Sequence, residues 1–250
     1  MSAAKVMLVT GGGRGIGAAT SRLAAQRGFA VAVNYVRDRE SAESLAREIE
    51  KSGGKAIPVG GDVSVEADVL RIFDTLDRSL GRLTALVNNA GIVDRQARVE
   101  DITPARLQRM FAVNVFGPFL CAREAVKRMS TRRGGAGGAI VNVSSGAARI
   151  GSPGMYVDYA ASKGAIDTFT VGLAKEVAAD GIRVNAVRSG FALTGIHASG
   201  GIPDRIERMR DHIPLKRGAE PEEIARAILW LLSDEASYAT GAILDVTGGT

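Results

Sequence analysis

The sequence predicts a doubly wound (Rossmann) α/β fold, in which a parallel seven-stranded sheet carries helices on both faces. Short apolar, β-branched runs alternate along the chain with longer segments of helical period. These runs are continuously apolar, which is typical of strands that are covered on both faces. A length of 250 residues suits one large domain or two small ones. Because no linker divides the chain, we expect a single domain of residues 1–250.

The predicted elements alternate from end to end. Seven strands are expected at Val6–Thr10, Val31–Asn34, Ala56–Val59, Ala85–Asn88, Ile140–Val143, Arg183–Val187 and Ile243–Val246. The main helices are expected at Gly17–Gln26, Ser41–Lys51, Val65–Leu80, Pro104–Met129, Asp158–Ala179 and Pro221–Leu232. In sheets of this kind, ligands bind at the carboxyl ends of the strands. The residues that follow each strand are therefore the first candidates for a site.

The first strand ends in the glycine-rich stretch Thr10–Gly17. A strand that turns through glycines into a helix presents backbone N–H groups to one point, which predicts a diphosphate site. No Lys follows the glycines, so an NTPase loop is disfavoured. The common G-x-G-x-x-G spacing also fits poorly, because the glycines present are Gly11, Gly15 and Gly17. The alternative interpretation is an ordinary tight connection between strand and helix.

The end of the second strand indicates which dinucleotide is preferred. About 20 residues beyond the glycines, where an acid would accept the 2′-hydroxyl of NAD, the chain has Tyr35 and no Asp or Glu. Arg14 in the glycine loop and Arg37 after the strand are suited to neutralise a 2′-phosphate. We therefore expect NADP(H) to be preferred, with NAD(H) possible. The alternative is that both arginines are only solvent-exposed.

The ends of the third and fourth strands carry further polar motifs. Asp62 and Val63 follow the third strand, and Asn89, Ala90 and Gly91 follow the fourth. Each motif also has an ordinary interpretation, as a helix cap or a turn. Their order after consecutive strands makes them informative together.

The second half of the chain holds the candidate chemistry. Tyr159 and Lys163 are four residues apart and share one face of a predicted helix. A nearby cation favours the phenolate and lowers the pKa of a tyrosine, so this is a workable acid/base pair. Ser145 ends a buried strand, and Asn114 lies in an apolar helical run where its amide needs partners. The alternative is an exposed Tyr–Lys pair, a Ser that caps a turn and an Asn that bonds a neighbouring carbonyl.

These motifs together resemble the short-chain dehydrogenase/reductase family, over essentially the full length from Val6 to Gly249. The resemblance implies hydride transfer between a nicotinamide and a carbonyl or secondary alcohol. It implies four catalytic residues: Asn114, Ser145, Tyr159 and Lys163. In the family the tyrosine exchanges a proton with the substrate oxygen, and the lysine also holds the nicotinamide ribose. The serine orients the carbonyl, and the asparagine belongs to a water-mediated relay with the lysine.

The cofactor contacts expected from the motifs and the resemblance are spread over the strand ends. They are Gly11, Arg14, Gly15, Ile16, Gly17, Tyr35, Arg37, Asp62, Val63, Asn89, Ala90, Gly91, Tyr159, Lys163, Gly190, Ala192 and Thr194. A catalytically silent NADPH-binding regulator is the alternative. Such a protein would be expected to lose its Tyr, Lys or Ser, and this chain keeps all three.

Two departures from the family pattern stand near the expected nicotinamide site. Ser189 occupies a position where the family usually has Pro, which relaxes a turn. The gap from Ser145 to Tyr159 is one residue longer than usual. The choice of Ser145 over its neighbours Ser144 and Gly146 as the functional position therefore stays open. The glycine-bearing segment Gly190–Arg217 is expected to form a mobile substrate flap, whose two histidines we expect at its surface. The flap histidines are His197 and His212.

Composition and charge indicate which classes of binding partner and which cellular location to expect. The formal charge of +5 and pI of 9.6 come from scattered basic residues with few aromatics, so nucleic acid is not expected. No signal peptide, membrane span or metal-binding pattern is visible, which predicts a cytoplasmic enzyme. The single Cys121 is expected to be buried filler. By the same resemblance, Ile224–Leu232 and the last strand imply a homotetramer, unless these residues serve only the core.

Overall fold

The computed structural model describes residues 5–250, and these residues form one seven-stranded parallel sheet. The strands are β1 Lys5–Val9, β2 Phe29–Tyr35, β3 Lys55–Gly60, β4 Ala85–Asn88, β5 Gly138–Ser145, β6 Ile182–Ser189 and β7 Ile243–Val246. Their order is β3-β2-β1-β4-β5-β6-β7. Strands β2 and β3 are therefore added outward on one side of β1, and β4 to β7 are added on the other side. Sheets of this kind bind ligands at the point between β1 and β4 where the strand order reverses. The predicted fold class is confirmed.

The helices connect the strands and cover both faces of the sheet. They are α1 Gly15–Gln26, α2 Arg39–Lys51, α3 Glu66–Ser79, α4 Pro104–Phe111, α5 Gly117–Met129, α6 Ala147–Ile150, α7 Val157–Val177, α8 Ile196–Ser199, α9 Arg205–Met209 and α10 Pro221–Leu232. The short helices α8 and α9 lie in the segment expected to be a flap. Within residues 5–250, no helix combines the length and apolar character needed to cross a membrane.

Two apolar cores lie on opposite faces of the sheet. Met7 and Val9 of β1 point into the core that α1, α2 and α10 cover, whereas Val6 and Leu8 point into the core that α3, α5 and α7 cover. Both sets are almost completely buried. This explains why the strands are continuously apolar. Cys121 is buried in the second core, where burial raises the pKa of its thiol to about 12 and keeps it protonated.

The segment predicted as one helix, Pro104–Met129, contains a change of helical type. The π-helical turn Ala112–Phe116 separates α4 from α5. Pro118 has no N–H to donate to the carbonyl four residues earlier, which is that of Asn114. The regular α-helical pattern cannot continue through this point, and a π turn accommodates the interruption. Such turns are frequent at functional sites, and this one carries a candidate catalytic residue.

Candidate active site

The glycine loop after β1 forms a cradle of bare backbone. Gly11 and Gly15 have φ angles of +59° and +53°, which favour glycine over residues with a side chain. A Cβ at Gly17 would overlap the carbonyl oxygen of Gly11 and lie 2.6 Å from Nδ2 of Asn89. The N-terminus of α1 opens directly from this loop. The residues present therefore fit the diphosphate of a dinucleotide, which binds at helix N-termini against close-lying backbone.

A hydrogen-bond brace ties this loop to the end of β4. The hydroxyl of Thr10 accepts from the backbone N–H groups of Asn89 and Ala90, both at 3.0 Å. The amide Nδ2 of Asn89 donates to the carbonyls of Thr10 at 2.9 Å and Gly11 at 3.0 Å. Asn89 and Ala90 therefore hold the loop at the switch point of the sheet.

Asn34, at the end of β2, fixes the other side of the loop. Its Oδ1 accepts from the backbone N–H of Gly11 at 3.2 Å, and its Nδ2 donates to the carbonyl of Gly61 at 2.9 Å. This buried residue joins the first three strand ends and was not predicted as a site residue. The available signal was an Asn that ends a run of buried apolar residues, where an amide needs partners.

The region after β2 has exposed cations and an acid that is already engaged. Arg14 and Arg37 are both exposed, and neither has a carboxylate within 4.0 Å among residues 5–250. Asp38 caps α2 by accepting from the backbone N–H of Ser41 at 3.0 Å and from its hydroxyl at 2.7 Å. These hydrogen bonds lower the pKa of Asp38. The nearest acid is therefore occupied in the cap.

Asp62, after β3, is part of a turn. Its Oδ1 accepts from the backbone N–H of Ser64 at 2.9 Å and from the hydroxyl of Ser64 at 2.7 Å. Its own backbone N–H donates to Oδ2 of Asp68 in α3 at 2.8 Å. Val63 is buried beside Gly117, at the start of α5. The contacts of Asp62 are therefore those of a turn, and its contact with the cofactor stays a prediction.

The candidate catalytic residues meet near the carboxyl ends of β4 and β5. A Cβ at Gly91 would lie 3.5 Å from Nζ of Lys163 and 3.5 Å from Oδ1 of Asn114. Nζ of Lys163 lies 5.7 Å from the centroid of the Tyr159 ring and donates to the carbonyl of Val143 at 2.8 Å. Lys163 is only 5% exposed, so its ammonium is enclosed by these groups.

Asn114 is fully buried, and its side chain is satisfied. Its Nδ2 donates to the carbonyl of Ile92 at 2.9 Å and to the hydroxyl of Ser162 at 3.1 Å, and its Oδ1 accepts from the N–H of Ile92 at 2.8 Å. The side chain thus holds the loop after β4 to α7. Because of Pro118, the backbone carbonyl of Asn114 has no α-helical donor.

The two serines at the end of β5 have different contacts. Ser144 is buried, and its hydroxyl donates to the backbone carbonyl of Lys163 at 3.4 Å. Ser145 is half-buried; its hydroxyl accepts from the N–H of Ala147 at 3.1 Å and is close enough to the phenol of Tyr159 to lower its pKa. Of the two hydroxyls, that of Ser145 therefore faces the tyrosine, despite the lengthened gap between them.

The pKa of Tyr159 differs in direction from the sequence-based expectation. Burial raises this pKa, and the hydrogen bond with Ser145 and the charge of Arg205 oppose the rise without cancelling it. The reason is that the ammonium of Lys163 is directed at the carbonyl of Val143. Burial also lowers the pKa of Lys163 to about 8, although Asp167 favours its charged form. At neutral pH the tyrosine is therefore a protonated donor beside a charged lysine.

The segment after β6 lies over the glycine loop. A Cβ at Gly15 would lie 3.0 Å from Cγ2 of Thr194, so this residue touches the cradle. Ala192 is buried and forms a bridge with Ala219. Nε2 of His197 lies 3.0 Å from the carbonyl oxygen of Ala192, and burial lowers the pKa of this histidine. His197 is half-buried, with its ring beside that of Phe191, whereas His212 is exposed as expected.

Ser189 ends β6 in regular register. It pairs with Ser145 on one side and with Val246 on the other, and its carbonyl accepts from the N–H of Gly146 at 3.0 Å. A Cβ at the next residue, Gly190, would lie 2.6 Å from the carbonyl oxygen of Thr247. The turn at Gly190 is therefore constrained by close backbone packing, even without the family's proline.

A buried ion pair adjoins the candidate catalytic residue Tyr159 and was not predicted. Asp158 immediately precedes Tyr159. Its carboxylate accepts hydrogen bonds from Nε of Arg106 at 2.7 Å and from Nη2 at 3.1 Å. Nη1 of Arg106 also donates to the carbonyl of Arg95 at 2.7 Å. An Asp in the first turn of the predicted helix was a signal for a partner, but nothing in the sequence identified Arg106 as that partner.

Residues 11–250 match the family model described as enoyl-(acyl carrier protein) reductase. An uncharacterized oxidoreductase of Escherichia coli is 56% identical, covering 98% of this chain and 99% of that protein. The cis-4-hydroxycyclohexanecarboxylate dehydrogenase of Sinomonas cyclohexanicum is 40% identical, covering 99% and 96%.

Solved structures agree with these matches. A dehydrogenase/reductase from Sinorhizobium meliloti has a TM-score of 0.91 at 34% identity, covering 99% of this chain and 96% of that chain. A 3-ketoacyl-(acyl-carrier-protein) reductase from Brucella melitensis complexed with NADH has a TM-score of 0.90 at 34% identity, covering 98% and 97%. The fold and the matches define a nicotinamide-dependent oxidoreductase that acts on CH–OH groups. The chain belongs to the short-chain dehydrogenase/reductase family.

Proposed function

We propose that this enzyme interconverts a secondary alcohol and a carbonyl with NADP(H), using Ser145, Tyr159, Lys163 and Asn114. The observation that carries the proposal is the approach of Lys163 and Asn114 to one point beside Gly91, with Ser145 against the phenol of Tyr159. These groups lie at the edge of the sheet that also carries the glycine cradle. A bound nicotinamide supplies or accepts the hydride at this edge.

The roles follow from the chemistry of each group. The hydroxyls of Ser145 and Tyr159 donate hydrogen bonds to the substrate oxygen and stabilise the charge that develops there. Because burial raises the pKa of Tyr159, the phenol keeps its proton at neutral pH and delivers it to the alkoxide. The ammonium of Lys163 then favours the phenolate that remains. Asn114 positions the loop after β4 through Ile92, and we assign it to the proton relay with Lys163.

The preference for NADP(H) rests on Arg14 and Arg37. Arg14 is exposed in the glycine loop and Arg37 just after β2, and neither forms a salt bridge with a carboxylate among residues 5–250. Two guanidinium groups are suited to a 2′-phosphate. The acid that would accept a ribose 2′-hydroxyl is absent from the position of Tyr35, and Asp38 is engaged in its cap. The Brucella melitensis reductase was solved with NADH, so NAD(H) stays a second cofactor to test.

The remaining cofactor contacts that we propose lie along the same edge. They are Gly11, Gly15, Ile16, Gly17, Tyr35, Asp62, Val63, Asn89, Ala90, Gly91, Tyr159, Lys163, Gly190, Ala192 and Thr194. We also propose one domain of residues 1–250 in which residues 190–217 form a flap, and a cytoplasmic location. A homotetramer is proposed as well. Most apolar side chains of α10 serve the core, and Trp230, at 41% exposed, is available to an interface.

A panel of carbonyl substrates with NADPH tests the proposal. The panel contains simple ketones, a sugar aldehyde, a 3-ketoacyl thioester and 4-oxocyclohexanecarboxylate, and the loss of absorbance of the reduced nicotinamide is followed. Activity with NADPH and its loss in Tyr159→Phe are expected. A chain that binds NADPH but reduces no carbonyl would instead be a silent cofactor-binding regulator. Tighter binding of NADH than of NADPH would contradict the cofactor preference.

A further inference from the structure

Arg205, the first residue of α9, is stacked on two aromatic rings. Its guanidinium carbon lies 4.6 Å from the ring centroid of Tyr156 and 5.4 Å from that of Phe191. Tyr156 directly precedes α7, three residues before Tyr159, and Phe191 follows the end of β6. The flap therefore places this cation between the start of the catalytic helix and the chain that follows Gly190.

The position of Arg205 depends on close packing of the flap. Gly200 is buried, and a Cβ there would lie 3.1 Å from the hydroxyl oxygen of Tyr156 and 3.3 Å from Cγ1 of Val93. The chain can approach Tyr156 this closely because Gly200 has no side chain. The charge of Arg205 is near enough to Tyr159 to lower the pKa of its phenol, against the larger effect of burial. Together with the 4.6 Å distance to the ring of Tyr156, three residues before Tyr159, this places Arg205 near the reacting groups.

This cation has no anionic partner in the part of the chain that the structure describes. No carboxylate lies within 4.0 Å of Arg205, and its side-chain N–H groups have no acceptor there. The carboxylates on its own helix are engaged elsewhere: Asp204 pairs with Arg208 at 2.8 Å, and Glu207 lies 3.8 Å from Arg210.

Two other partly buried arginines have carboxylate partners, whereas Arg183 donates to the backbone carbonyls of Leu231 and Ser233. Arg106 binds Asp158 and Arg188 binds Asp167, at 2.7 Å and 2.9 Å. Arg205 is half-buried and its guanidinium carbon lies over both rings, while the N–H groups at the edge of the guanidinium have no acceptor among residues 5–250. That edge is the part of a guanidinium that binds a carboxylate with two parallel hydrogen bonds.

We propose that Arg205 binds a carboxylate of the substrate, so that this enzyme acts on a carbonyl or secondary alcohol that also carries an acid group. The inference rests on the proposed oxidoreductase function and adds the class of substrate. The rings of Tyr156 and Phe191 hold the guanidinium in one orientation, and the carboxylate completes the pairing that the protein lacks. The flap then contributes directly to substrate specificity.

Matched substrates test this assignment. The rate of NADPH oxidation is measured with 4-oxocyclohexanecarboxylate and with its methyl ester, which has the same ring and carbonyl but no charge. We expect kcat/KM of the native enzyme to favour the acid by about tenfold or more, as for a hydrogen bond to a charged group. Arg205→Gln should lower kcat/KM for the acid by about 10- to 100-fold and change that for the ester little.

Arg208→Gln is the control, because Arg208 lies on the same helix and already pairs with Asp204. It should leave kcat/KM for both substrates unchanged. Equal kcat/KM for acid and ester in the native enzyme would overturn the assignment. An equal loss on both substrates in Arg205→Gln would also overturn it, since it would mean that the stack only supports the flap.

A binding measurement separates this inference from the proposed function. Calorimetry compares cyclohexanecarboxylate with cyclohexanecarboxamide, each titrated into the protein saturated with NADPH. Binding of the acid that is lost in Arg205→Gln supports the anion site, even if no ketone is reduced and the proposed function fails. Equal binding of acid and amide, or no binding of the acid, contradicts the site whatever the turnover results.

Discussion

The carboxylate of Asp158 and the guanidinium of Arg106 form a bidentate pair one residue before Tyr159, and the Asp158 side chain is fully buried. Arg106 also binds the carbonyl of Arg95, so the pair joins α4, the loop after β4 and the first turn of α7. This geometry sets where α7 begins, and hence the position of the phenol.

Asp158→Asn should therefore destabilise the protein and misplace the tyrosine. Loss of one partner leaves a mostly buried cation without its counter-charge, which costs about 3 kcal/mol in the free energy of unfolding. Urea unfolding measures this loss. We also expect kcat to fall about tenfold while KM for NADPH changes little. The exposed pair Arg98–Glu100 provides the control, because Glu100→Gln should cost less than about 1 kcal/mol. Equal costs for the two variants would contradict the prediction.

Tyr159→Phe tests the proton donor. The substitution removes the hydroxyl next to Ser145 and keeps the ring, so we expect turnover to be abolished while NADPH binding survives. Stopped-flow turnover and fluorescence titration of NADPH measure the two effects separately. Retained activity would disprove the assignment, and a parallel loss of NADPH binding would indicate a structural defect.

Arg14 and Arg37 should determine the preference between the two cofactors. The double variant Arg14→Ala, Arg37→Ala removes two cations from the proposed 2′-phosphate site and should weaken NADPH binding by about 100-fold or more. Binding of NADH should change only a few-fold. Arg47→Ala is a suitable control because Arg47 lies on α2 and is exposed. A similar loss for NADH and NADPH would show that the arginines do not recognise the 2′-phosphate.

The lowered pKa of Lys163 predicts a dependence of stability on pH. Burial lowers this pKa from 10.5 to about 8, so at neutral pH the folded state carries the cost of a charged, buried ammonium. Between about pH 8 and 10.5 the unfolded chain binds more protons than the folded one, and stability at this site rises with pH. Relative to Lys163→Met, the native protein should gain about 2–3 kcal/mol between pH 7 and 10. Urea unfolding at both pH values measures this difference; a constant difference would contradict the shift.

The tight contact at Gly17 makes a pair of glycine variants informative. Gly17→Ala places a Cβ against Asn89 and the backbone of Gly11, so we expect it to destabilise the loop and abolish NADPH binding. Gly172→Ala adds a Cβ in open space on α7 and should stabilise the protein by about 0.5–1 kcal/mol. Thermal unfolding and NADPH titration compare the two variants. Normal NADPH binding by Gly17→Ala would disprove the role of this contact.

Strand positions and the fold could be predicted because each strand is a short apolar run with a clear end. The position of the glycine loop followed from the same local pattern. The positions of Asn34 and of the Arg106–Asp158 pair could not be predicted, because they depend on contacts between residues 23 and 52 positions apart. The half-burial of His197 likewise depends on how the flap folds, since its ring meets the carbonyl of Ala192.

The direction of the pKa shift of Tyr159 also required the fold. The spacing of Tyr159 and Lys163 indicates that they share a helix face, but it does not say where the ammonium points. In the structure the carbonyl of Val143 takes that ammonium, and burial then dominates the pKa of the phenol. Local spacing identified the two residues, and the surrounding packing determined their electrostatics.

The π turn at Ala112–Phe116 makes the helix sensitive to residue count. Each residue of an α-helix advances the chain by about 100° around its axis, so removing one residue here would rotate α5 by that angle relative to α4. The Cys121 face of α5, now in the core, would be carried out of it, and the amide of Asn114 would leave Ile92. This helix should therefore tolerate many substitutions on its exposed face but no single deletion. The number of residues in it determines where the side chain of Asn114 lies in the candidate active site.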